Sequence, residues 1–184
     1  HLEVAMALIE KGAAIDARNI DQSTPLHAAC DNGHLEVAMA LIEKGAAIDA
    51  RNSYQYTPLH WACINGHLEV AMALIDKGAA IDARDNYQNT PLHWACNDGR
   101  IEVAMALIEK GAAIDARDDD QDTPLHAACR WDRIDVAMAL IDKGAAIDAR
   151  DSNQDTPLHL ACREDRIEVA MALIKAGADV YARD

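Results

Sequence analysis

The chain contains no phenylalanine, and its basic residues are few. Its 184 residues include 17 Lys and Arg against 31 Asp and Glu, which gives a net charge of −14. Nucleic acids are bound largely by Lys and Arg that neutralise phosphates, and anionic membranes attract basic segments. We therefore expect neither a nucleic-acid partner nor a membrane partner. A basic or neutral protein surface is the better electrostatic match.

Long apolar runs are also missing. The longest has six residues, as at 37–42, whereas a helix that spans a membrane needs roughly 20. The first residues, His1 to Val4, lack the basic and apolar regions of a signal peptide. These absences predict a cytoplasmic protein.

The chain does contain a repeat, because the motif Thr-Pro-Leu-His occurs five times at intervals of 33 residues. It begins at Thr24, Thr57, Thr90, Thr123 and Thr156. A fixed period of this length predicts one array of small units, each packed only against its neighbours. We divide it into a half unit (1–18), units one to four (19–51, 52–84, 85–117 and 118–150) and a cap-like unit five (151–184).

Each unit is predicted to contain two short helices. Thr24 is placed to cap the first, with Pro25 at a helical position that needs no N–H donor. Gly33 then allows a left-handed stop, and a second helix follows from about His34 to Lys44. Neither helix is long enough to bury its apolar residues alone, so stacking is required for stability. The apolar stripe of the second helix consists of Leu35, Ala38, Leu41 and Ile42.

The Thr-Pro-Leu-His-x-Ala start, the Gly-His-Leu-Glu-Val turn and the Lys-Gly-Ala end of the unit resemble the ankyrin repeat. The resemblance covers residues 1–184 and implies an all-α ankyrin-repeat solenoid with projecting β-turn loops. It also implies a curved stack whose loops and first helices form a concave binding face, with no cofactor and no catalysis. Consistent with this, the sequence offers no nucleophile–base pair, phosphate loop or paired-carboxylate cleft, so we expect no enzyme.

Two positions depart from the family pattern. Ankyrin repeats usually carry Gly before the Thr-Pro step of the loop, where this chain has Gln22 and its four equivalents. We interpret the glutamines either as a turn without positive φ or as side chains that bond the neighbouring loop. The inter-helix glycine becomes Asp132 and Asp165 in units four and five, which predicts lower stability there.

The units differ mainly in their opening loops and on their first helices. All three tryptophans and three of the four tyrosines fall at these variable positions. Aromatic residues dominate interface energetics, so we expect an aromatic centre that anchors an apolar partner segment. An acidic flank would select Lys or Arg. The predicted binding residues are Tyr54, Tyr56, Trp61, Ile64, Tyr87, Asn89, Trp94, Asn97, Asp120, Asp122, Arg130 and Trp131.

The alternative for Trp61 and Trp94 is that they fill space between neighbouring first helices. Methionine also recurs once in every second helix. We interpret these methionines as packing between neighbouring second helices, and the alternative is a Met surface that binds a partner. These methionines are Met6, Met39, Met72, Met105, Met138 and Met171.

The cysteines share the same period. Equivalent positions in stacked units lie further apart than the roughly 7 Å between Cα atoms that a disulfide can span. We therefore interpret them as buried, unpaired thiols that pack as small apolar side chains, a state that favours the cytosol. They are Cys30, Cys63, Cys96, Cys129 and Cys162.

No metal site is predicted. His27, Cys30 and His34 have ligand-like spacing, but Gly33 breaks the helix between them and Arg replaces the second histidine in later units. The acidic run 118–120 lacks the Gly and the distal Glu of a calcium loop. The histidines of the Thr-Pro-Leu-His motif suggest a pH sensor, although the resemblance implies that they tie each helix to adjacent loops.

Two origins and one rival function remain open. Near-identical frameworks with variation at presumed binding positions resemble designed ankyrin repeat proteins, which would be expressed in a recombinant cytosol. The change from Gly-His-Leu-Glu to Gly-Arg-Ile-Glu instead suggests natural duplication. The rival function is purely structural, because an apolar N-terminal edge would make the chain self-associate weakly rather than remain a monomer.

Overall fold

The computed structural model describes residues 2–182, and its regular structure there is entirely α-helical. This confirms the all-α repeat solenoid. The helices are α1 Leu2–Glu10, α2 Pro25–Asp31, α3 Leu35–Glu43, α4 Pro58–Asn65, α5 Leu68–Asp76, α6 Pro91–Asn97, α7 Ile101–Glu109, α8 Pro124–Arg130, α9 Ile134–Asp142, α10 Pro157–Arg163 and α11 Ile167–Lys175.

The helices form two columns. The first helices of successive units (α2, α4, α6, α8 and α10) pack one upon the next, and the second helices (α1, α3, α5, α7, α9 and α11) do the same. Within a unit the two helices also contact each other. The core lies between the columns and contains fully buried leucines of both, such as Leu92 of α6 and Leu107 of α7. Each unit therefore depends on its neighbours for its apolar contacts.

A capping box that uses histidine begins every first helix. Thr57 has extended backbone angles and is followed by Pro58, as the sequence predicted. The Thr57 N–H donates to Nδ1 of His60 at 3.0 Å, and the Thr57 hydroxyl lies 2.9 Å from the same nitrogen. In α6 the hydroxyl of Thr90 also accepts from the N–H of His93 at 3.5 Å. Histidine thus takes the place that Glu or Gln has in the usual capping box.

The second helices end at glycines. Gly45 has φ 93°, its N–H donates to Ile42, and the N–H of Ala46 donates to Leu41. This is the Schellman arrangement, which satisfies carbonyls at the helix end. Helix α3 is one residue shorter at each end than the range His34 to Lys44 that the pattern predicted.

Four of the five cysteine thiols are buried, and none of the five forms a disulfide. Burial raises the pKa of Cys30 to about 12, so this thiol stays protonated and packs as an apolar group. Cys162 is exposed, so the prediction of burial is wrong for the last unit. No described unit follows α10 to cover it.

Two ladders of hydrogen bonds join the units at their ends, and the sequence analysis missed both. In the aspartate ladder, Asp49 Oδ1 accepts from the N–H of Ala80, one unit further on, at 2.9 Å. In the arginine ladder, Arg84 Nη1 donates to the carbonyl of Arg117 at 2.6 Å. The same aspartate contact recurs from Asp16, Asp82, Asp115 and Asp148, and the same arginine contact from Arg18, Arg51 and Arg117.

The opening loops contain a left-handed glutamine. Gln88 has φ 61°, and its four equivalents also have positive φ. The prediction of a turn without positive φ is therefore wrong. Arg84 stabilises the turn, because its Nη1 donates to the Gln88 carbonyl at 2.9 Å as well as to the next unit. Asp132 and Asp165 are left-handed too, with φ 59° and 55°.

Candidate protein-binding surface

The opening loops and the exposed sides of the first helices form one surface, which we call the loop–helix face. Its loops are organised by the first residue of each unit. In unit three the Oδ1 of Asp85 accepts from the N–H groups of Tyr87 and Asn89 at 2.8 and 2.9 Å. Asn52 and Asp118 act in the same way on their own loops. The variable residues therefore stand on ordered turns.

Backbone hydrogen bonds also join one loop to the next. Asn86 N–H donates to the Tyr54 carbonyl at 3.2 Å, and Asp119 N–H donates to the Tyr87 carbonyl at 3.0 Å. The framework histidines add a second link, since His60 Nε2 lies 3.3 Å from the Asn89 carbonyl in the following unit. The implied role of these histidines, that they tie a helix to a neighbouring loop, is confirmed.

The histidine geometry fixes the tautomer. Nδ1 of His60 accepts from the backbone of Thr57, so Nε2 carries the proton and donates to the Asn89 carbonyl. Burial lowers the pKa of both His60 and His93 to about 4, against the opposing effect of their carbonyl partners. Both ring nitrogens are occupied by protein groups. No cluster of His, Cys, Asp or Glu in residues 2–182 is arranged to hold a metal ion.

An aromatic cluster lies where units two and three meet, and we define it as Tyr54, Tyr56, Trp61 and Trp94. Tyr56 is at its centre. Its ring lies 5.5 Å from that of Trp61 and 5.6 Å from that of Trp94, both edge-to-face, and 6.0 Å from that of Tyr54. Edge-to-face contacts at this distance are favourable. The sequence placed these four residues in one patch, and the structure brings them together.

The two tryptophans of the cluster both pack and remain accessible. Trp61 packs against the core while staying half-buried. Trp94 is also half-buried, and its Nε1 donates to Oδ2 of the buried Asp85 at 2.9 Å. Asp85 thus holds both the loop and the indole. These tryptophans therefore fill space in the fold and at the same time keep part of their surface exposed.

The remaining apolar and amide residues of the prediction surround the cluster with different exposures. Tyr87 is 67% exposed, whereas Ile64, Asn89 and Asn97 are half-buried. Trp131 is the C-cap of α8 and is 50% exposed. Among the described residues, the ring contacts that build the cluster do not include Trp131. It therefore stands apart from the aromatic centre.

The acidic flank is divided between exposed and buried carboxylates. Asp119 and Asp120 are exposed, but Asp122 is only 2% exposed and pairs through Oδ2 with Arg130 Nη2 at 2.6 Å. Sequence reasoning missed this pair, which joins residues eight apart. Burial raises the pKa of Asp118 to about 6. The N–H groups of Asp122 and Asp120, which donate to this carboxylate, oppose the shift, while the negative charges of the same two residues favour it.

A cleft of about 450 Å³ separates the aromatic cluster from α8. On one side it is lined by Tyr87 and Trp94, and on the other by Ala127 and Arg130. Ala127 occupies the position that Trp61 and Trp94 hold in units two and three. The small Ala127 side chain leaves this space open, where the preceding unit has the Trp94 indole and the following unit has Leu160.

The edge of the array at α1 is apolar. Leu8 is exposed, and a groove of about 350 Å³ runs between α1 and α2, lined in part by Ile15, Ala28 and Val37. Ala28 is exposed here, whereas its counterparts Trp61 and Ala127 are half-buried. Among the described residues, no helix is long and apolar enough to cross a membrane.

A sequence model described as ankyrin repeats (three copies) matches the chain over residues 1–85, 47–118, 82–151 and 111–184. Together these overlapping matches cover its whole length. No curated protein sequence matched the chain.

Proposed function

Since the chain belongs to the ankyrin repeat family, whose repeats generally mediate protein interactions, we propose that it is a non-enzymatic protein-binding scaffold. The loop–helix face is the proposed binding surface, with the aromatic cluster as its centre. The partner is a protein, and no cofactor takes part.

The observation that carries this proposal is the aromatic cluster itself. The chain has only three Trp and four Tyr, and four of these seven lie in one cluster on ordered loops and first helices. Tyr and Trp held in this way present a large contact area that loses little conformational entropy on binding. Interface residues of this kind commonly supply most of the binding energy.

The charge of the face indicates the chemistry of the partner. Asp119 and Asp120 are exposed beside the cluster, and the chain carries a net charge of −14. A partner with a basic rim would be attracted and oriented by this field, most strongly at low salt. We therefore propose a basic or neutral partner surface with an apolar anchor that packs on Tyr56, Trp61 and Trp94.

A pull-down with a matched control tests the proposal. The intact chain is compared with a Tyr56→Ala/Trp61→Ala/Trp94→Ala variant and with Tyr181→Ala, which removes an exposed tyrosine outside the cluster. Circular dichroism first establishes that each chain is folded. A protein retained by the intact chain and the Tyr181 variant, but lost with the triple variant, supports the proposal. Equal or empty eluates from all three chains contradict it.

The apolar edge favours a second function, self-association. The groove between α1 and α2 exposes apolar surface, and at the opposite end Ile167 and Met171 are exposed. Light scattering across a concentration series would detect association through these surfaces. If Leu8→Glu lowers the apparent mass at high concentration and the triple aromatic variant does not, the edge rather than the face drives assembly.

The origin of the array is also a proposal. Near-identical frameworks support a designed array. The left-handed Gln88 and Asp132 support natural duplication, because designed backbones avoid positive φ at residues other than glycine.

A further inference from the structure

The cleft of unit four contains an unsatisfied carboxylate oxygen. Oδ2 of Asp122 is paired with Arg130, but Oδ1 has no hydrogen-bond partner among the described residues, although it is shielded from solvent. A buried carboxylate accepts several hydrogen bonds, and an acceptor left without one costs roughly 1–3 kcal/mol. Asp122 lines the cleft together with Arg130, so a donor that enters the cleft as Arg130 moves aside would reach this oxygen and supply the missing bond.

The charge around this oxygen selects a cationic donor. Asp119 and Asp120 line the same cleft, and Arg130 is the one basic side chain among its described lining residues apart from a neutral histidine. The opposite wall is aromatic, formed by Tyr87 and Trp94. Such a wall suits the alkyl stem or the guanidinium plane of a long basic side chain. A metal ion fits less well, because no carboxylate cluster in residues 2–182 has ligand geometry.

Building on the proposed function, we propose that this cleft receives one lysine or arginine side chain of the bound protein, which donates to Asp122 Oδ1. Arg130 then acts as a built-in competitor. Its side chain is 35% exposed and lies at the end of α8, so it can move aside while the incoming cation takes over part of the pairing with Asp122.

Unit three supplies matched substitutions for the test, because each replacement residue already occurs at the equivalent position of that unit. Asp122→Asn copies Asn89, Arg130→Asn copies Asn97, and Ala127→Trp copies Trp94. The fold therefore already accepts each replacement one unit away. Asp155→Asn is the control, since Asp155 pairs with Arg163 in the same way but lies outside the cleft.

The probes are peptides selected from a random phage-displayed library against the intact chain, together with versions in which norleucine replaces each Lys or Arg. We expect selected peptides to share a basic residue whose replacement weakens binding. Asp122→Asn should lower affinity by about 10- to 100-fold, the range for a hydrogen bond to a charged group. Ala127→Trp should also lower it, because the indole fills the cleft.

Arg130→Asn separates this inference from a general charge effect. It removes the competitor and makes the chain more acidic, so affinity should rise in the intact cleft. This gain in affinity should vanish in the Asp122→Asn/Arg130→Asn double variant, although the single and the double variant have both lost Arg130. Asp155→Asn should bind as the intact chain does.

Each outcome decides the inference. Peptides that bind without a basic residue, or that bind Asp122→Asn as tightly as the intact chain, overturn it and leave the proposed function standing if the triple aromatic variant fails to bind them. Failure to select any peptide overturns both. Calcium chloride that raises the melting temperature of the intact chain but not of Asp122→Asn would show a metal site instead.

Discussion

At the scale of single residues, two side-chain types occupy backbone positions that suit glycine. A left-handed conformation costs a residue with a Cβ atom roughly 1–2 kcal/mol, and glycine avoids this cost. The hydrogen bond that the arginine of the next unit makes beside Asp132 is also slightly longer than its equivalent beside Gly99. Arg166 Nε lies 3.2 Å from the carbonyl of Arg130, whereas Arg133 Nε lies 3.0 Å from the carbonyl of Asn97 beside Gly99.

Replacing Asp132 by Gly should therefore stabilise the chain. We expect the free energy of unfolding to rise by about 0.5–1 kcal/mol, since part of the gain is lost to the greater freedom of glycine in the unfolded chain. Urea denaturation followed by circular dichroism measures the change.

The reverse substitution, Gly99→Asp, is the matched control and should destabilise. A Cβ atom at Gly99 would lie 2.9 Å from Cδ of Arg133, and φ is +70°. Arg133 is flexible enough to move, so the loss should be about 1–2 kcal/mol. Equal unfolding free energies for the two variants and the parent would show that neither position is strained.

The buried histidines make stability depend on pH. In the folded chain the pKa of His60 and of His93 is about 4, below the ordinary 6.5. Between these values the unfolded chain binds more protons, so stability is complete above pH 6.5 and is lost as pH falls towards 4. Each histidine should contribute a slope of about 1.4 kcal/mol per pH unit. Two carboxyl groups oppose this effect, because burial raises the pKa of Asp118 to about 6 and also raises the pKa of Asp98.

We expect the free energy of unfolding to fall by about 2–4 kcal/mol from pH 7 to pH 5. Denaturation curves at the two pH values test this. His60→Gln should flatten the dependence, because glutamine does not titrate and can still form the reciprocal cap. Stability that is unchanged or higher at pH 5 would mean that these histidines titrate normally in the fold.

At the scale of structural elements, each opening loop depends on its first residue. In unit three Asp85 accepts three hydrogen bonds, from the N–H groups of Tyr87 and Asn89 and from the Trp94 indole. Unit two has Asn52 at the same position, with the same two backbone contacts. The loop therefore requires an acceptor there rather than a charge.

Asp85→Ala should destabilise the chain by about 3 kcal/mol, because it leaves three donors without their acceptor. It should also loosen Trp94 and weaken any partner bound at the aromatic cluster. Asp85→Asn should cost less, because its Oδ1 keeps the two backbone bonds as in unit two, although its Nδ2 cannot accept from the Trp94 indole. Thermal unfolding and indole fluorescence of the two variants distinguish them, and equal effects would show that the charge rather than the acceptor matters.

The elements were predictable from sequence, but several contacts within them were not. The Thr-Pro step and the spaced glycines define where helices begin and end, so α2 and α3 followed from local rules. The φ of Gln88 did not, because Arg84 and the next loop stabilise a conformation that glutamine does not favour alone. The burial of Asp122 also escaped prediction, since its partner Arg130 is eight residues further on, at the last position of α8.

At the scale of the whole molecule, the ladders and the stacked leucines make stability a property of neighbouring pairs. An internal unit has two neighbours, and the ends of the described array have one. Ile167 and Ile174 of α11 are exposed in consequence, whereas Ile101 and Ile108 of α7 are half-buried. Nearest-neighbour stabilisation of this kind lets the ends open first.

Amide hydrogen exchange should therefore be slowest in α4 to α8 and fastest in α1 and α11. Mass spectrometry of peptic fragments over a time course measures this order. Asp82→Ala, which removes one rung of the aspartate ladder at the N–H of Ala113, should speed exchange on both sides of that rung. Uniform protection along the chain would instead indicate that it unfolds as one cooperative block.

The histidine links have a further consequence for how the surface changes over time. His27, His60 and His93 each bond the backbone carbonyl of a residue in the following loop, and those residues are Tyr56, Asn89 and Asp122. A carbonyl is the same whatever side chain it carries. The framework therefore recognises the main chain at positions where the side chain is left open to substitution. The side chains at these positions can therefore change one substitution at a time while the architecture stays intact, so the array is evolvable at positions where we propose that a partner binds.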